Sequence, residues 1–314
     1  PSTFGTKVSV RLSGATKHLV VKERPRLKVR DLATKRTRSL PARGKRWRLV
    51  GLAGGRTRVD ISTGKGWSRW RTLKGRGQFQ AGGKPITLRT SSGPRPYRGA
   101  LRSAGASAGA KKRDTVNILS LEKYLRGVVP LEIPASWSPA AVRSQAVAAR
   151  TYAAYELLDA PPSRHYQICD TTACQVYGGQ AAEHPGSDAA IRATRKQVLT
   201  YGGKPAFTQF SASNGGWSAP GSMPYLVAKK DPYDGWSGNT NHTWSVTVRA
   251  AAIEGRWPAI GSFSGATVLA RDGHGQWGGR VRSIRVTGTK RSIDLTGDEF
   301  RFGLGLKSTY FTPR

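Results

Sequence analysis

The sequence contains few acidic residues, only two cysteines and no long apolar run. Its 314 residues include 18 Asp and Glu against 52 Lys and Arg, which gives a formal net charge of +34 at pH 7. No run of about 18 apolar residues occurs, so we expect no transmembrane segment. Two cysteines exclude a disulfide-rich scaffold and are compatible with one short disulfide or with a pair of thiols.

The positive charge is concentrated in the first third of the chain. Residues 1–113 contain 30 Lys and Arg and 3 acidic residues, whereas residues 114–314 contain 22 and 15. Such a charge favours an anionic partner, and the alternative is a solvated basic surface. We do not expect nucleic acid, because no zinc-finger spacing, RNA-recognition strand motif or basic-region heptad is present.

Short alternating segments separated by glycine predict β-strands over most of residues 1–110. Residues 100–113 are small and basic, and they predict a hairpin tip, a surface loop or a linker. We therefore divide the chain into a strand-rich, strongly basic region at 1–110, which is a candidate binding arm, and a core at 111–314.

Helix signals occur in the middle of the chain. Ser138 and Pro139 predict an N-cap and a first helical residue, and the helix should end near residue 158, before two prolines. Shorter helices are expected at 121–126 and 187–196. The predicted class is α+β, with mostly antiparallel strands and a few helices packed around a central cleft.

Glu132 is the candidate catalytic residue. It lies in the apolar segment Pro130-Leu-Glu-Ile-Pro134. Burial disfavours a charged carboxylate, so we expect Glu132 to retain its proton and to be able to act as a general acid. The alternative is a glutamate at a turn that binds a backbone N–H or pairs with an arginine.

Residues 124–152 resemble the signature of the SpoIID/LytB family of bacterial cell-wall proteins. Further similarity occurs in Gln175-Val-Tyr177, in residues 210–216 and in the closing segment 297–306. The best-understood members of the family are lytic transglycosylases that act on peptidoglycan, and others are described as amidase enhancers. The resemblance implies that Glu132 is the acid/base that cuts the MurNAc-β-1,4-GlcNAc bond of peptide-stripped glycan strands and leaves a 1,6-anhydroMurNAc end.

The resemblance also implies a set of substrate-binding residues. Alternatives to binding are a solvated helix surface, core packing of the tyrosines and an ordinary turn at 210–216. We expect Arg150 to face substrate, because an arginine against Glu132 would lower the pKa of that carboxyl group. The candidates are Arg143, Gln145, Arg150, Tyr152, Gln175, Tyr177, Ser211, Ser213, Asn214, Gly215 and Gly216.

His165, Cys169 and Cys174 allow three alternatives: a disulfide between the cysteines, a zinc site with a further ligand, or free thiols. Zinc needs four donors, or three and a water. Some members of the family hold a metal with an extra histidine beside the second cysteine, where this chain has Ala173. We expect no cofactor other than this zinc alternative.

The expected partners follow from the resemblance and the charge. They are peptidoglycan glycan strands, anionic cell-wall polymers bound by the basic arm, and a cell-wall amidase if the protein is a non-catalytic enhancer. The chain begins at Pro1 rather than Met. We interpret this as the result of processing and expect an extracellular or wall-located protein whose signal peptide is absent from this sequence.

Overall fold

The computed structural model describes residues 7–107 and 109–314, which form a strand-rich α+β fold with antiparallel sheets, as the sequence predicts. The chain divides into two compact units, one ending at Gln209 and one spanning Phe210–Arg314. The sequence predicted a different boundary, at residue 110, between a basic binding arm and a core. That functional division stays a prediction.

In the described part of the first unit, twelve strands precede the first α-helix. They are β1 (Lys7–Arg11), β2 (Leu19–Lys22), β3 (Lys28–Asp31), β4 (Thr37–Ser39), β5 (Arg46–Gly51), β6 (Thr57–Ser62), β7 (Ser68–Leu73), β8 (Gly77–Gln80), β9 (Ile86–Thr90), β10 (Gly93–Tyr97), β11 (Ala100–Ala104) and β12 (Asp114–Ser120).

These strands form two sheets. The larger sheet has the order β13-β1-β12-β11-β8-β3-β4, where β13 (Ile168–Cys169) is a parallel edge strand on β1. The smaller sheet has the order β10-β9-β2-β5-β6-β7. Alternate side chains, such as Val8 and Val10 in β1 and Ile86 and Leu88 in β9, enter one hydrophobic core.

The expectation of a loop over all of residues 100–113 is wrong for its first part. Residues 100–104 form β11, which pairs with β12 and with β8, where Leu101 lies opposite Phe79. Leu101 is fully buried, and so are the small residues Ser103 and Ala104. Small side chains therefore reflect a buried strand here, while the connection to β12 follows it. Ala108 in this connection lies outside the described residues.

The first unit continues with helices and a short hairpin. The elements are α1 (Leu121–Arg126), α2 (Val129–Glu132), α3 (Pro139–Asp159), α4 (Pro185–Ala193), β14 (Thr200–Tyr201) and β15 (Lys204–Pro205). The Ser138 hydroxyl accepts the Ala141 N–H at 3.3 Å, which confirms the predicted N-cap of α3. Buried alanines along α3 let α1 and α4 pack against it.

The second unit has its own small core. It contains α5 (Ala250–Arg256), β16 (Phe263–Arg271), β17 (Val281–Gly288), β18 (Ser292–Thr296) and α6 (Gly297–Leu304), and the three strands form an antiparallel sheet. Thr296 and Glu299 form a capping box that begins α6. Within the described ranges of the whole chain, no helix combines the length and apolarity needed to cross a membrane.

Candidate active site

Glu132 ends α2, and a proline and a glycine shape the turn that presents it. Pro130 lies in the first turn of α2, where its missing N–H leaves no helical bond unmade. Gly127 precedes α2 and lies against Tyr177, whose ring would be 2.6 Å from a Cβ at this position. The backbone can therefore approach the Tyr177 ring only because residue 127 has no side chain.

The Glu132 carboxyl group is half-buried and accepts one backbone hydrogen bond, from the Val176 N–H to Oε1 at 3.0 Å. Burial raises the pKa of this carboxyl group, and the bond from Val176 opposes the rise only in part. No Lys, Arg or His in residues 7–107 and 109–314 forms an ion pair with Glu132. Glu132 therefore retains its proton to a higher pH than a solvated glutamate.

The Gln175-Val-Tyr177 segment supports this carboxyl group from inside the core. The Gln175 side chain is 1% exposed and accepts a hydrogen bond from the Tyr124 hydroxyl at 3.2 Å. The Tyr177 hydroxyl donates to Asn117 at 2.8 Å. Core packing, the alternative considered for Tyr177, is confirmed. The group of this segment that contacts Glu132 is the backbone N–H of Val176, which the sequence did not identify.

Arg150 does not face substrate, and that expectation is wrong. It is 1% exposed, and its Nε and Nη2 donate to the two carboxylate oxygens of Glu122 at 3.0 Å each. Its Nη2 also donates to the Ile191 carbonyl at 3.0 Å, so the guanidinium joins α3 to α1 and α4. Because Arg150 is paired with Glu122, it does not lower the pKa of Glu132. The sequence predicted that this arginine would stay away from Glu132, and that part of the expectation agrees with the structure.

The other candidates on α3 differ in their surroundings. Arg143 is exposed. Gln145 is half-buried, and its Nε2 is enclosed without a hydrogen-bond partner among the described residues. The Tyr152 ring lies 5.6 Å from Phe207, and burial raises the pKa of its hydroxyl to about 12, so it is a donor at neutral pH. Substrate binding by these three residues stays a prediction.

Cys169 and Cys174 form a disulfide. Cys169 belongs to β13, so the disulfide attaches the following loop to the edge of the larger sheet. His165 binds Asp114 instead, with Nε2 and Oδ2 2.7 Å apart. Of the three alternatives the structure contains the disulfide, and the described ranges contain no group of three or more His, Cys, Asp and Glu arranged to hold a metal ion.

The predicted sugar-binding turn lies in the second unit and folds around Asp234, which is 8% exposed. Asp234 accepts the backbone N–H groups of Asn214 and Gly215 at 2.9 and 3.0 Å and the Ser213 hydroxyl at 2.8 Å. Gly215 and Gly216 have φ angles of +72° and +92°, which residues with a side chain rarely adopt. The polar groups of Ser213 and Asn214 are thus engaged inside the turn, and sugar binding by this turn stays a prediction.

Two residues of this turn were not identified from the sequence. His242 Nδ1 lies 2.6 Å from Asp234 Oδ2. Burial raises the pKa of Asp234, but the bonds from His242 and from the 213–215 turn outweigh burial, and the pKa is lowered. Asp234 and His242 lie in a stretch without periodicity, where two aspartates and a histidine in one long loop were the available signal.

Ser211 adds a local contact to this turn. Its hydroxyl donates to the Ser213 carbonyl at 3.3 Å. Arg280, in the connection between β16 and β17, also binds this turn. Its Nη2 donates to the carbonyls of Asn214 and Trp217 at 2.7 and 2.8 Å. The candidate residues are thus divided between a Glu132 cluster in the first unit and an Asp234 cluster in the second.

Comparison with known proteins connects the Glu132 cluster to a family. The family model described as SpoIID, stage II sporulation protein, matches residues 109–201, which include α1 to α4. The amidase enhancer of Bacillus subtilis (strain 168) is 42% identical over 138 residues, which are 41% of this chain and 17% of that protein.

Two further similarities are longer. Stage II sporulation protein D of Bacillus amyloliquefaciens is 28% identical over 218 residues, and the protein of that name from Bacillus subtilis (strain 168) is 27% identical over 225 residues. The chain spans 61% of the length of each, and each match covers 63% of this chain. Residues 109–201 therefore match the SpoIID family model, and over a longer range the chain is similar to two proteins named stage II sporulation protein D.

Proposed function

We propose that this protein is an exported peptidoglycan lytic transglycosylase in which Glu132 is the general acid and base. The observation that carries the proposal is the environment of the Glu132 carboxyl group, which favours its protonated form. Glu132 is half-buried, its pKa is raised by burial, and no cation in the described ranges pairs with it. Its position inside the family-matched segment 109–201 supports the same role.

One carboxyl group is sufficient for this reaction. Most glycosidases need two, because a second carboxylate activates water or attacks the sugar. In a transglycosylase, Glu132 donates its proton to the glycosidic oxygen, the bond from C1 of MurNAc to that oxygen breaks, and GlcNAc leaves as an alcohol. The 6-hydroxyl oxygen of the same MurNAc then bonds to C1, and its proton passes to the Glu132 carboxylate, which restores the acid.

The hydrogen bond from Val176 orients the carboxyl group for this exchange. A backbone N–H can only donate, so Oε1 acts as the acceptor and Oε2 is the atom that carries the transferable proton. Val176 lies between the buried side chains of Gln175 and Tyr177, and its N–H is therefore held in place by the core. The substrate in this proposal is a peptide-stripped glycan strand at the cell wall, outside the cytoplasm.

A second candidate function is a non-catalytic wall-binding module that stimulates a cell-wall amidase. It is favoured by the similarity to the amidase enhancer of Bacillus subtilis, which is 42% identical over 138 residues. In this case the Glu132 cluster binds glycan without cutting it. The two functions differ in whether replacing Glu132 abolishes glycan turnover.

The test compares Glu132→Gln with Glu156→Gln on peptide-stripped glycan, with products identified by mass spectrometry. Glu156 is a matched control, because it is also a partly buried glutamate whose pKa burial raises, but it has Arg164 3.7 Å away. We expect Glu132→Gln to lose roughly 10²–10⁴-fold in rate and the control to retain the wild-type rate.

The product distinguishes the alternatives. Anhydro-muramic ends support the transglycosylase, and reducing muramic ends would refute it. No glycan turnover by the wild type, together with stimulation of an added amidase by both wild type and Glu132→Gln, would establish the enhancer instead.

A further inference from the structure

A basic cavity lies on the smaller sheet of the first unit. Its volume is about 390 Å³, and its lining residues belong to β2, β5, β9 and β10 and to the turn between the last two. Among the residues that the structure describes, the lining includes three cations, Lys22, Arg46 and Arg89, and no carboxylate. Val20 and Pro94 form its aliphatic part. No helix near Glu132 contributes to this lining.

The cations of this cavity are not neutralised by the protein. Lys22 lies directly opposite Arg46 on paired strands, and like charges in such positions destabilise a sheet. Arg46 donates only to neutral oxygens, the Ser62 hydroxyl and the Gly64 carbonyl, at 3.3 Å each. None of the three cations forms an ion pair within residues 7–107 and 109–314.

The neighbouring arginine shows that the sheet can supply a counter-charge. Arg48 lies two residues after Arg46 on β5, and it binds Asp60 of β6 at 2.7 Å. Arg58 binds the same carboxylate at 2.9 Å. The sheet therefore neutralises the arginines next to the cavity and leaves those of the cavity itself for an external anion.

We propose that this cavity binds the phosphodiester backbone of a polyol-phosphate polymer of the cell envelope. Cations at three points match the repeated charge of such a polymer, and the aliphatic part matches its carbon backbone. The lining contains no aromatic residue among those that the structure describes, and the neighbouring Trp67 ring is already stacked by the guanidinium groups of Arg46 and Arg48, 5.5 and 4.6 Å from its centroid. Single-stranded nucleic acids, by contrast, bind by stacking their bases on aromatic side chains. The proposal deepens the wall attachment expected of the basic arm and rests on the proposed location at the wall, but it needs no catalysis.

The test measures binding of a poly(glycerol phosphate) oligomer by calorimetry between 50 and 200 mM salt (roughly the range used for polyanion salt titrations). The full chain carries Glu132→Gln, so that the result is independent of glycan cleavage. The cavity variant is Lys22→Gln, Arg46→Gln and Arg89→Gln together. The charge-matched control is Lys28→Gln, Arg36→Gln and Arg38→Gln, three exposed cations of the β3–β4 hairpin in the other sheet.

We expect the cavity variant to lose at least about tenfold in affinity, with the slope of log affinity against log salt reduced by about 2, because each phosphate contact contributes roughly 0.7 for a single strand. The control should lose less than about threefold. Equal losses in both variants would overturn the proposal in favour of bulk charge.

Two further arms identify a different occupant. Tighter binding of an oligothymidylate, lost in the cavity variant, would replace the polymer by nucleic acid. Binding to vesicles with anionic lipid but not to the oligomer would replace it by a membrane surface. If the triple variant does not melt cooperatively, Arg89→Gln alone decides, since this side chain is exposed; it should weaken oligomer binding by about threefold relative to Arg38→Gln.

Discussion

Each unit of this protein places a carboxylate beside a segment singled out by the sequence analysis, and the pKa values of the two carboxylates are shifted in opposite directions. Glu132 in the first unit accepts one backbone hydrogen bond, and its pKa is raised. Asp234 in the second unit accepts bonds from Ser213, Asn214, Gly215 and His242, and its pKa is lowered.

The difference shows that hydrogen-bond donors, rather than burial alone, decide what a carboxyl group can do. Asp234 is more buried than Glu132, yet its donors hold it as an anion that organises a turn. Within residues 7–107 and 109–314, Glu132 has one hydrogen-bond donor and pairs with no cation, so burial prevails and the group can hold a proton for transfer. The same chemical group is therefore structural in one unit and a candidate acid in the other.

The contrast between Glu132 and Asp234 depends on Arg150 being paired with Glu122 rather than with Glu132. Of the changes considered, removal of Arg150 should lower the free energy of unfolding most. Arg150→Met leaves Glu122 without its cation and the carbonyl of Ile191 without its donor. We expect a loss of about 3–5 kcal/mol in the free energy of unfolding, measured by urea denaturation. Arg143→Met, an exposed change on the same helix, should lie within about 0.5 kcal/mol of wild type. Similar values for both variants would contradict the structural role of Arg150.

Removal of the Asp234 carboxylate should destabilise the second unit. Asp234→Ala leaves several buried donors unsatisfied, and we expect a cost of about 2–4 kcal/mol. Asp294→Ala removes an exposed carboxylate that pairs with Arg285 in solvent, and it should destabilise the unit far less than Asp234→Ala does. Hydrogen exchange of residues 211–242 reports the change.

The stability lost in Asp234→Ala should depend on pH. The folded pKa of Asp234 lies below its unfolded value, so its contribution is present above the unfolded pKa and is lost as pH falls through the folded one. The difference in the free energy of unfolding between wild type and Asp234→Ala should therefore become smaller in acid. A gap that is constant with pH would mean that the carboxylate charge does not contribute.

Glu132→Gln should have the smallest effect on stability, and with the opposite sign. The folded pKa of Glu132 lies above its unfolded value, so ionisation disfavours the folded state as pH rises through that interval. Glutamine keeps an oxygen for the Val176 N–H and carries no charge. We expect a gain of less than about 1 kcal/mol at pH 7, because solvent screens this half-buried group. Thermal melting at pH 7 and in acid measures the gain, which should vanish in acid; a loss at pH 7 would contradict the raised pKa.

Local sequence signals predicted the elements that depend on neighbouring residues. Ser138 and Pro139 begin α3 as expected, and the helix ends at Asp159, before two prolines. Alternation of apolar residues identified β1, β2, β5, β6 and β9. The apolar and proline-rich context of Glu132 also indicated a raised pKa, and burial does raise the pKa of this carboxyl group.

Pairings over long separations could not be predicted in this way. Glu122 lies 28 residues before Arg150, and Val176 lies 44 residues after Glu132. Residues 100–104 have a loop-like composition and became a strand because β8 and β12 lie on either side of them. Asp234 and His242 gained their roles from the turn at 213–215, which is distant in sequence.

The sequence by itself determined the α+β class, the start and end of the long helix, and the apolar setting of Glu132, since each depends on residues within a few positions. Tertiary structure alone decided which charges meet. It buried Arg150 against Glu122, provided Glu132 with a single backbone donor and surrounded Asp234 with several. Electrostatic environment depends on distances in space, and chain folding sets those distances between residues that no local pattern connects.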